Sequence, residues 1–551
     1  MNRTNKTDAW AVGIIVVLGA LLFVPFNGAV PLFDWDEINF AEAAREMLVS
    51  HNFLTVQINF QPFWEKPPLF IWMQVLAMKA FGINAFAARF PDAMAGISTL
   101  LVLYAVGRES FDRRFAIIWV LLYAGSLLPF FYFKSGIIDP WFNLFMFLGI
   151  WYLIKYVRRQ HYGLAFISSL FAGAAMLTKG PVGLLIIGLT ALIWMIYSRR
   201  WKLFLNGRFL GVYLIGVVLV GGLWFLLQAL EGKAYLIMDF IRYQLVLFST
   251  KDAGHGGFLF YHFVVLFLGV FPASVLALPA FRSFKDKDSF HKLVRNWMMI
   301  LFWTVLILFT IVQTKIVHYS SMCYFPLTFL AAYYLHRNWD SKRLLPQWGR
   351  WLFVLVAILD GSLIILLSVF VRFKDQIISK GWINDPFAVG NLQANVHWSG
   401  WEFLIGVFMI VALLSSFFLV KKNKMLRLAA ISASMIITMM LSLLIIVPKI
   451  EHYSQDAAIS FYKSKANENC YVETWGFKSY AQYFYTKKTI PVDKRSLQKE
   501  WLLGGQVDKP VYIVTKNISA ADFQKQYPYF RQLYEKNGFV FFVRKKGKIN
   551  D

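Results

Sequence analysis

The sequence predicts a polytopic α-helical membrane protein with a small α/β domain at its C-terminus. The chain of 551 residues is 58% hydrophobic and only 16% charged, whereas soluble globular proteins are nearer half apolar and a quarter charged. Residues 450–551 depart from this character, because they are polar and contain short strand-like runs such as Val511–Val514 and Phe539–Val543. We therefore predict a transmembrane domain over 1–449 and a soluble domain over 450–551.

Long apolar segments recur throughout residues 1–449. A membrane-spanning helix needs about twenty mostly apolar residues, and about thirteen segments approach that length. Between the first two segments lies a long loop, residues 30–85, whose apolar residues at helical spacing after Ile38 predict a structured loop. The predicted spans are 10–29, 86–106, 114–133, 137–155, 163–178, 181–198, 209–229, 258–281, 296–313, 318–336, 350–371, 401–420 and 428–447.

The basic residues predict the orientation of the chain. Its net charge is +25, but the arginines and lysines lie in alternate short loops and form no single basic face, which argues against nucleic acid as a partner. Loops such as 108–114, 155–159 and 199–208 are rich in them, and such loops normally stay in the cytoplasm. We therefore predict a cytoplasmic N-terminus, an outward-facing loop 30–85 and C-terminal domain, and membrane lipids as partners of the basic loops.

An acidic cluster follows the first apolar segment. Asp36 and Glu37 lie there, and Glu65 and Lys66 follow in the same loop. Ionised groups at a membrane boundary are costly unless they pair, hydrate or take part in chemistry. Since a carboxylate can deprotonate a hydroxyl nucleophile, we predict Asp36 and Glu37 to be catalytic residues on the outer face.

Further acidic and basic residues lie on the same predicted side. Asp139 begins the fourth span and is followed by Pro140, so it is a third candidate catalytic acid, with a simple helix cap as the alternative. Lys179 and Lys315 are single lysines in outward loops that otherwise lack positive charge. Together with Lys66 they are predicted to bind a phosphate and to stabilise charge on a leaving group.

Three side chains form a candidate metal site. Glu65, His255 and His318 all lie in outward segments, and Glu and His are common ligands of divalent cations. The glycine-rich segment around His255 lacks the preceding strand and spacing of a nucleotide-binding loop. A histidine that is only hydrogen-bonded within its loop is the alternative. The sequence thus requires no cofactor and offers one candidate site for a divalent metal ion.

These motifs resemble the membrane glycosyltransferases of the GT-C class. The similarity extends to the branch that holds the aminoarabinose lipid A transferase and the bacterial relatives of protein O-mannosyltransferases, and it covers essentially the whole chain. The motifs that carry it are Asp36-Glu37, Glu65-Lys66-Pro67, Asp139-Pro140, Thr178-Lys179-Gly180 and Lys315-Ile316-Val317-His318-Tyr319.

The resemblance implies an inverting transfer of a sugar from a polyprenyl phosphate carrier to a lipid A-like glycolipid, on the outer face of a bacterial inner membrane. It implies Asp36 as the catalytic acidic position, with Glu37 and Asp139 nearby. Lys66 and Lys315 are implied as contacts of the carrier phosphate, with Tyr319 beside them. The lipid A enzymes often carry an Arg-Phe pair where this chain has Leu247-Phe248, and Arg242 is the candidate substitute.

Two other functions remain open from the sequence. A protein O-glycosyltransferase or mannosyltransferase would use the same donor and differ only in its acceptor. A lipid or glycan transporter would instead carry ionisable residues near the bilayer midplane and an internal repeat, whereas the acids and lysines here lie at the outer boundary.

Overall fold

A bundle of apolar helices makes up most of the protein. This computed structural model describes residues 3–249, 256–282, 288–420 and 423–547. Every predicted span corresponds to one or two helices. The helices of the bundle are Arg3–Phe23, Ala85–Ser110, Arg113–Ala124, Leu127–Tyr132, Asp139–Arg159, Tyr162–Lys179, Val182–Ser198, Gly207–Leu230, Ala234–Ser249, Tyr261–Gly269, Ala273–Phe281, Ser289–Ile311, Val317–Cys323, Tyr324–Arg337, Gln347–Arg372, Leu404–Phe418 and Lys424–Ser454.

Length and apolarity separate these helices into two groups. Within the described residues, six helices are long and apolar enough to cross a membrane, or seven if the bent pair Tyr261–Gly269 and Ala273–Phe281 is one span. This pair, predicted as the single span 258–281, is bent by 103°. Shorter apolar helices such as Val182–Ser198 and Leu404–Phe418 add to the bundle. The count of about thirteen spans therefore stays a prediction, whereas the polytopic helical fold is confirmed.

Outer loop 30–85 forms a compact layer on one end of the bundle. It contains the helices Asp36–Ser50 and Leu69–Phe81 and a small antiparallel hairpin. The face of the first helix that carries Ile38 and Ala41 is buried, as its helical spacing predicts. The opposite, charged face is buried as well, because Arg45 pairs with Glu42 at 2.7 Å. The strands of the hairpin are Gln57–Ile58 and Gln61–Pro62.

The C-terminal domain is a mixed four-stranded sheet with short helices. Strand Tyr471–Trp475 runs parallel to Val511–Lys516, which pairs antiparallel with Phe539–Arg544, and Arg531–Lys536 forms the far edge. The strand-like runs read from the sequence are thus confirmed. The helices of this domain are Asp456–Ser464, Ala481–Tyr485, Lys494–Leu497, Lys499–Gly504 and Asn517–Gln526, and Lys374–Ser379 and Pro386–Leu392 lie in the loop that precedes Leu404–Phe418.

The outer loop and the C-terminal domain share one hydrophobic core. Ile38 and Ile71 from the loop belong to the same cluster as Phe461, Tyr483 and Phe541 from the domain. Arg45 also donates a hydrogen bond of 2.7 Å to the backbone carbonyl of Lys488. The domain therefore packs directly on the helix that begins at Asp36, and this contact positions the acidic end of that helix.

Candidate active site

Asp36 is the first residue of helix Asp36–Ser50 and lies at the interface with the bundle. The partial positive charge of a helix N-terminus stabilises a carboxylate there. Its side chain is 29% exposed, and its Oδ2 lies 3.7 Å from Nε2 of His318. Asp36 is thus a carboxylate that solvent or a substrate reaches, held beside an imidazole.

Glu37 lies beside Asp36 in sequence but is committed to a buried ion pair. Its carboxylate lies 2.6 Å from the guanidinium of Arg89, and it accepts hydrogen bonds from the backbone N–H groups of Phe33 and Gly136 at 2.8 and 2.7 Å. A carboxylate with all these donors has little capacity left to accept a substrate proton. These contacts favour a role for Glu37 in holding the start of the helix in place, and its catalytic role stays a prediction.

Sequence reasoning missed Arg89, which organises the segment before Asp36. Besides Glu37, its guanidinium donates to the carbonyls of Asn27, Val30 and Pro31 at 2.8–2.9 Å. Because arginine in an apolar span is costly without a partner, its occurrence in the predicted span 86–106 was a signal for a buried carboxylate. Arg89 joins the end of the first span to the catalytic loop.

Asp139 and Lys179 form a second buried pair. The ammonium of Lys179 donates to Oδ1 of Asp139 at 2.6 Å, joining the end of helix Tyr162–Lys179 to the start of helix Asp139–Arg159. Oδ2 of Asp139 is buried and accepts no hydrogen bond from the described residues. Lys179 also lies 5.4 Å from the ring centroid of Tyr319. An ammonium has three donors, so this lysine is able to bind an anion while it stays paired with Asp139.

Lys66 lies among the same charges. Desolvation lowers the pKa of Lys66 below its ordinary value, and the positive charge of Lys179 lowers it further. The carboxylates of Asp36, Glu65 and Asp139 act in the opposite direction. A desolvated lysine between carboxylates and a second lysine is suited to a phosphate, whose charge offsets the repulsion of the two ammonium groups.

His318 completes this group of charges. Its Nε2 faces the Asp36 carboxylate at 3.7 Å, and its side chain is 16% exposed. The charges of Asp139, Lys179 and Lys66 also act on this imidazole. His318 is thus the polar neighbour that links Asp36 to the second pair.

Lys315 lies beside the C-terminal end of a bundle helix. Its ammonium donates to the backbone carbonyls of Phe309, Thr310 and Val312 at 3.0, 2.7 and 2.6 Å, and so closes the C-terminal end of helix Ser289–Ile311. All three donors of the ammonium are used by these carbonyls. These contacts favour a helix-capping role for Lys315, and its contact with the carrier phosphate stays a prediction.

Arg242 and the three predicted metal ligands differ in where they lie. Arg242 is exposed on helix Ala234–Ser249. Glu65 lies 3.4 Å from Lys478 of the C-terminal domain, and His318 faces Asp36, so neither belongs to a group of three metal-binding side chains within the described ranges. The third predicted ligand, His255, lies outside the described residues. The described residues alone do not form this metal site.

A cavity of about 50 Å³ opens beside the charged cluster. Lys66, Asp139, Lys179 and Tyr319 line it, together with the polar side chains of Asn143 and Ser321 and a set of apolar side chains. A cavity lined by both cationic groups and hydrocarbon matches an amphiphile that carries an anionic head. The apolar lining residues are Phe142, Met146, Val182, Ile186, Phe309, Val312 and Met322.

Comparison with known proteins finds similarity to glycosyltransferases that use lipid-linked sugars. Residues 65–225 match the family described as dolichyl-phosphate-mannose-protein mannosyltransferase. The undecaprenyl phosphate-α-4-amino-4-deoxy-L-arabinose arabinosyl transferase of Edwardsiella ictaluri is 29% identical over 335 residues, which are 59% of each chain. A protein of the same name from Proteus mirabilis is 26% identical and is matched over 71% of its length.

Solved structures support the fold over the full length. ArnT from Cupriavidus metallidurans, in a crystal structure bound to undecaprenyl phosphate, superposes with a TM-score of 0.76 and 17% identity, covering 97% of this chain and 98% of that one. The sequence match to the Edwardsiella ictaluri protein covers only 59% of its length. The chain thus has the ArnT fold and is related to the GT-C glycosyltransferases that include the aminoarabinose transferases and the protein mannosyltransferases.

Proposed function

We propose that the protein is an inverting glycosyltransferase that moves a sugar from a polyprenyl phosphate, such as undecaprenyl phosphate, to a lipid A-like glycolipid. The observation that carries this proposal is the cluster of Asp36, Lys66, Asp139 and Lys179 beside a cavity lined by both charged and apolar side chains. The relatives named as arabinosyl transferases support the same donor class.

In this proposal Asp36 acts as the general base. The acceptor hydroxyl transfers its proton to the Asp36 carboxylate while its oxygen bonds to the anomeric carbon of the sugar. The bond between that carbon and the phosphate oxygen breaks, and its electron pair leaves with the polyprenyl phosphate. Attack from the face opposite the phosphate inverts the anomeric carbon. General-base catalysis of this kind is typically worth about 10²–10⁴ in rate.

The lysines act on the leaving group. Lys66 and Lys179 both line the cavity, and there they stabilise the charge that develops on the departing phosphate. Asp139 keeps Lys179 in place through their 2.6 Å contact. No step of this reaction requires a cofactor, and a divalent cation at Glu65, His255 and His318 stays a separate prediction.

The proposed setting is the bacterial inner membrane. A lipid-linked donor cannot leave the bilayer, so the reaction needs a cavity that opens to lipid and to the outer water. The positive-inside distribution of arginine and lysine supports a cytoplasmic N-terminus and a cluster on the outer face. Lipid surrounds the bundle, in keeping with the exposed apolar side chains of helices such as Gln347–Arg372.

A second candidate function is supported by the family match over residues 65–225. A protein O-mannosyltransferase would use the same lysines and base with an exported polypeptide as the acceptor. It differs from the first proposal in the group that reaches Asp36 and not in the donor site.

The experiment that separates these functions supplies one donor panel with two acceptors. The purified protein in lipid nanodiscs receives radiolabelled undecaprenyl phosphate-linked sugars, with either lipid A or a serine- and threonine-rich peptide. Label on lipid A supports the first proposal, and label on the peptide supports the second. Absence of transfer to both acceptors, with donors that a known transferase consumes in parallel, contradicts both proposals.

A further inference from the structure

The last membrane helix ends in a cluster of three metal-binding side chains. Glu451 and His452 belong to helix Lys424–Ser454, and Asp456 begins the next helix. Each offers one ligand atom, and these atoms all lie within 4.8 Å of one another. Nδ1 of His452 lies 3.4 Å from Oδ2 of Asp456 and 4.0 Å from Oε2 of Glu451. The cluster is separate from the charged site around Asp36 and from the predicted ligands Glu65, His255 and His318.

A second observation points to a ligand at this cluster. The side chain of Glu451 is only 3% exposed, and its Oε1 accepts no hydrogen bond from the part of the chain that the structure describes. A buried carboxylate oxygen that accepts no hydrogen bond is costly, and native structures normally satisfy such atoms. A cation held between Glu451 and its two neighbours would remove this cost.

We propose that Glu451, His452 and Asp456 bind a divalent transition-metal cation of the zinc type. One imidazole nitrogen and two carboxylate oxygens favour zinc over magnesium or calcium, which prefer oxygen ligands alone. In a tetrahedral zinc site with bonds of about 2.0–2.1 Å, neighbouring ligand atoms are about 3.3 Å apart. The His452–Asp456 distance of 3.4 Å is close to this value, and the His452–Glu451 distance of 4.0 Å exceeds it by less than 1 Å. A water completes the fourth position.

The proposed site adjoins the segment that leads into the active site. Gln455 lies between two of the ligands in sequence, and its side-chain amide donates to the carbonyl of Leu32 at 2.8 Å and accepts from the N–H of Asp34 at 3.2 Å. A cation at the cluster would fix the break between the two helices and, through Gln455, the start of the segment before Asp36. The site thus acts as a structural clamp between the bundle, the C-terminal domain and the catalytic loop.

Zinc binding by the full-length protein tests this inference directly. The protein is purified with a tag that contains no histidine, stripped with a chelator and titrated with zinc chloride in nanodiscs. Bound zinc is measured by elemental mass spectrometry after gel filtration, and the melting temperature by tryptophan fluorescence. Parallel titrations use magnesium and calcium. We expect one equivalent of zinc, a raised melting temperature, and no comparable effect of the other two cations.

Two variants and two controls make the test specific. Glu451→Gln preserves shape and removes the buried charge, so the metal-free protein stays folded, while zinc affinity falls at least about tenfold because a direct ligand is lost. His452→Asn changes a side chain that is 53% exposed, so folding is preserved. His51→Asn controls for loss of an exposed histidine, and His318→Asn controls for a second site near Asp36.

The outcomes decide between two conclusions. Loss of the zinc equivalent and of the thermal shift in both Glu451→Gln and His452→Asn, with both retained in His51→Asn and His318→Asn, supports the site. Unchanged zinc content and thermal shift in Glu451→Gln and His452→Asn overturns it. Loss of the zinc equivalent only in His318→Asn also overturns it, because the bound metal would then lie near Asp36.

Discussion

Lys179 at the end of one membrane helix donates a 2.6 Å hydrogen bond to Asp139 at the start of another. Only 13% of the Lys179 side chain and 2% of the Asp139 side chain are exposed, so solvent screens the pair weakly. The pair ties helix ends that are far apart in sequence and leaves one lysine with donors facing the cavity. We therefore expect both the stability of the protein and its binding of the carrier to depend on these two residues. Single and double variants can separate the two effects.

Removal of one member of this pair should destabilise the protein. Lys179→Met leaves the buried Asp139 carboxylate uncompensated, and breaking a buried pair in this way costs about 3–5 kcal/mol. We expect a lower melting temperature in nanodiscs and loss of transfer. The double variant Asp139→Asn/Lys179→Met should recover most of the stability without recovering transfer. Transfer at the wild-type rate in the double variant would contradict the role of Lys179 at the leaving phosphate.

Lys66 and Lys315 should respond differently to truncation. Lys66→Ala removes a cation from the lining of the cavity, so the affinity for undecaprenyl phosphate should fall at least about tenfold, in line with about 1.5–3 kcal/mol for a charged hydrogen bond. Lys315→Ala removes the ammonium that closes helix Ser289–Ile311 and should lower the melting temperature. Binding is measured by native mass spectrometry or by fluorescence quenching.

The two lysine variants also control for each other. Equal loss of carrier affinity in Lys66→Ala and Lys315→Ala, with unchanged melting temperatures, would contradict the assignment of Lys315 as a helix cap. It would then restore Lys315 as a phosphate contact.

The Glu37–Arg89 ion pair should contribute to stability more than to catalysis. Glu37→Gln leaves Arg89 buried with its charge uncompensated, so the melting temperature should fall by an amount that corresponds to about 3–5 kcal/mol. The fraction of protein that stays folded should retain transfer within about tenfold of wild type. Complete loss of transfer by a folded Glu37→Gln protein, measured at a temperature well below its melting point, would assign Glu37 to the chemistry.

Much of the fold was predictable because its signals are local. The apolar segments correspond to helices such as Ala85–Ser110, and the strand-like runs correspond to Val511–Lys516 and Phe539–Arg544. The long-range pairings were not predictable in the same way. The C-terminal domain packs on the helix that carries Glu42 and Arg45. The residues that make this contact, such as Lys488, are more than 400 positions away in the sequence.

The site was predicted in part. Asp36, Lys66, Asp139, Lys179 and His318 do converge, since they lie at helix ends and in loops that meet at one end of the bundle. Residue type alone could not distinguish a lysine that faces a cavity from Lys315, which closes a helix. Nor could it separate Asp36 from its neighbour Glu37, because adjacent residues on a helix point in directions about 100° apart.

The most direct test of the proposed chemistry compares two neighbouring aspartates. Asp36→Asn removes the proposed base, and Asp34→Asn removes the same charge from an exposed position two residues away. Both variants, purified in nanodiscs with equal melting temperatures, receive undecaprenyl phosphate-linked sugar and acceptor. We predict that Asp36→Asn binds the donor but loses at least about 10²-fold in transfer, while Asp34→Asn stays near wild type. Transfer by Asp36→Asn at the wild-type rate would contradict the proposed mechanism.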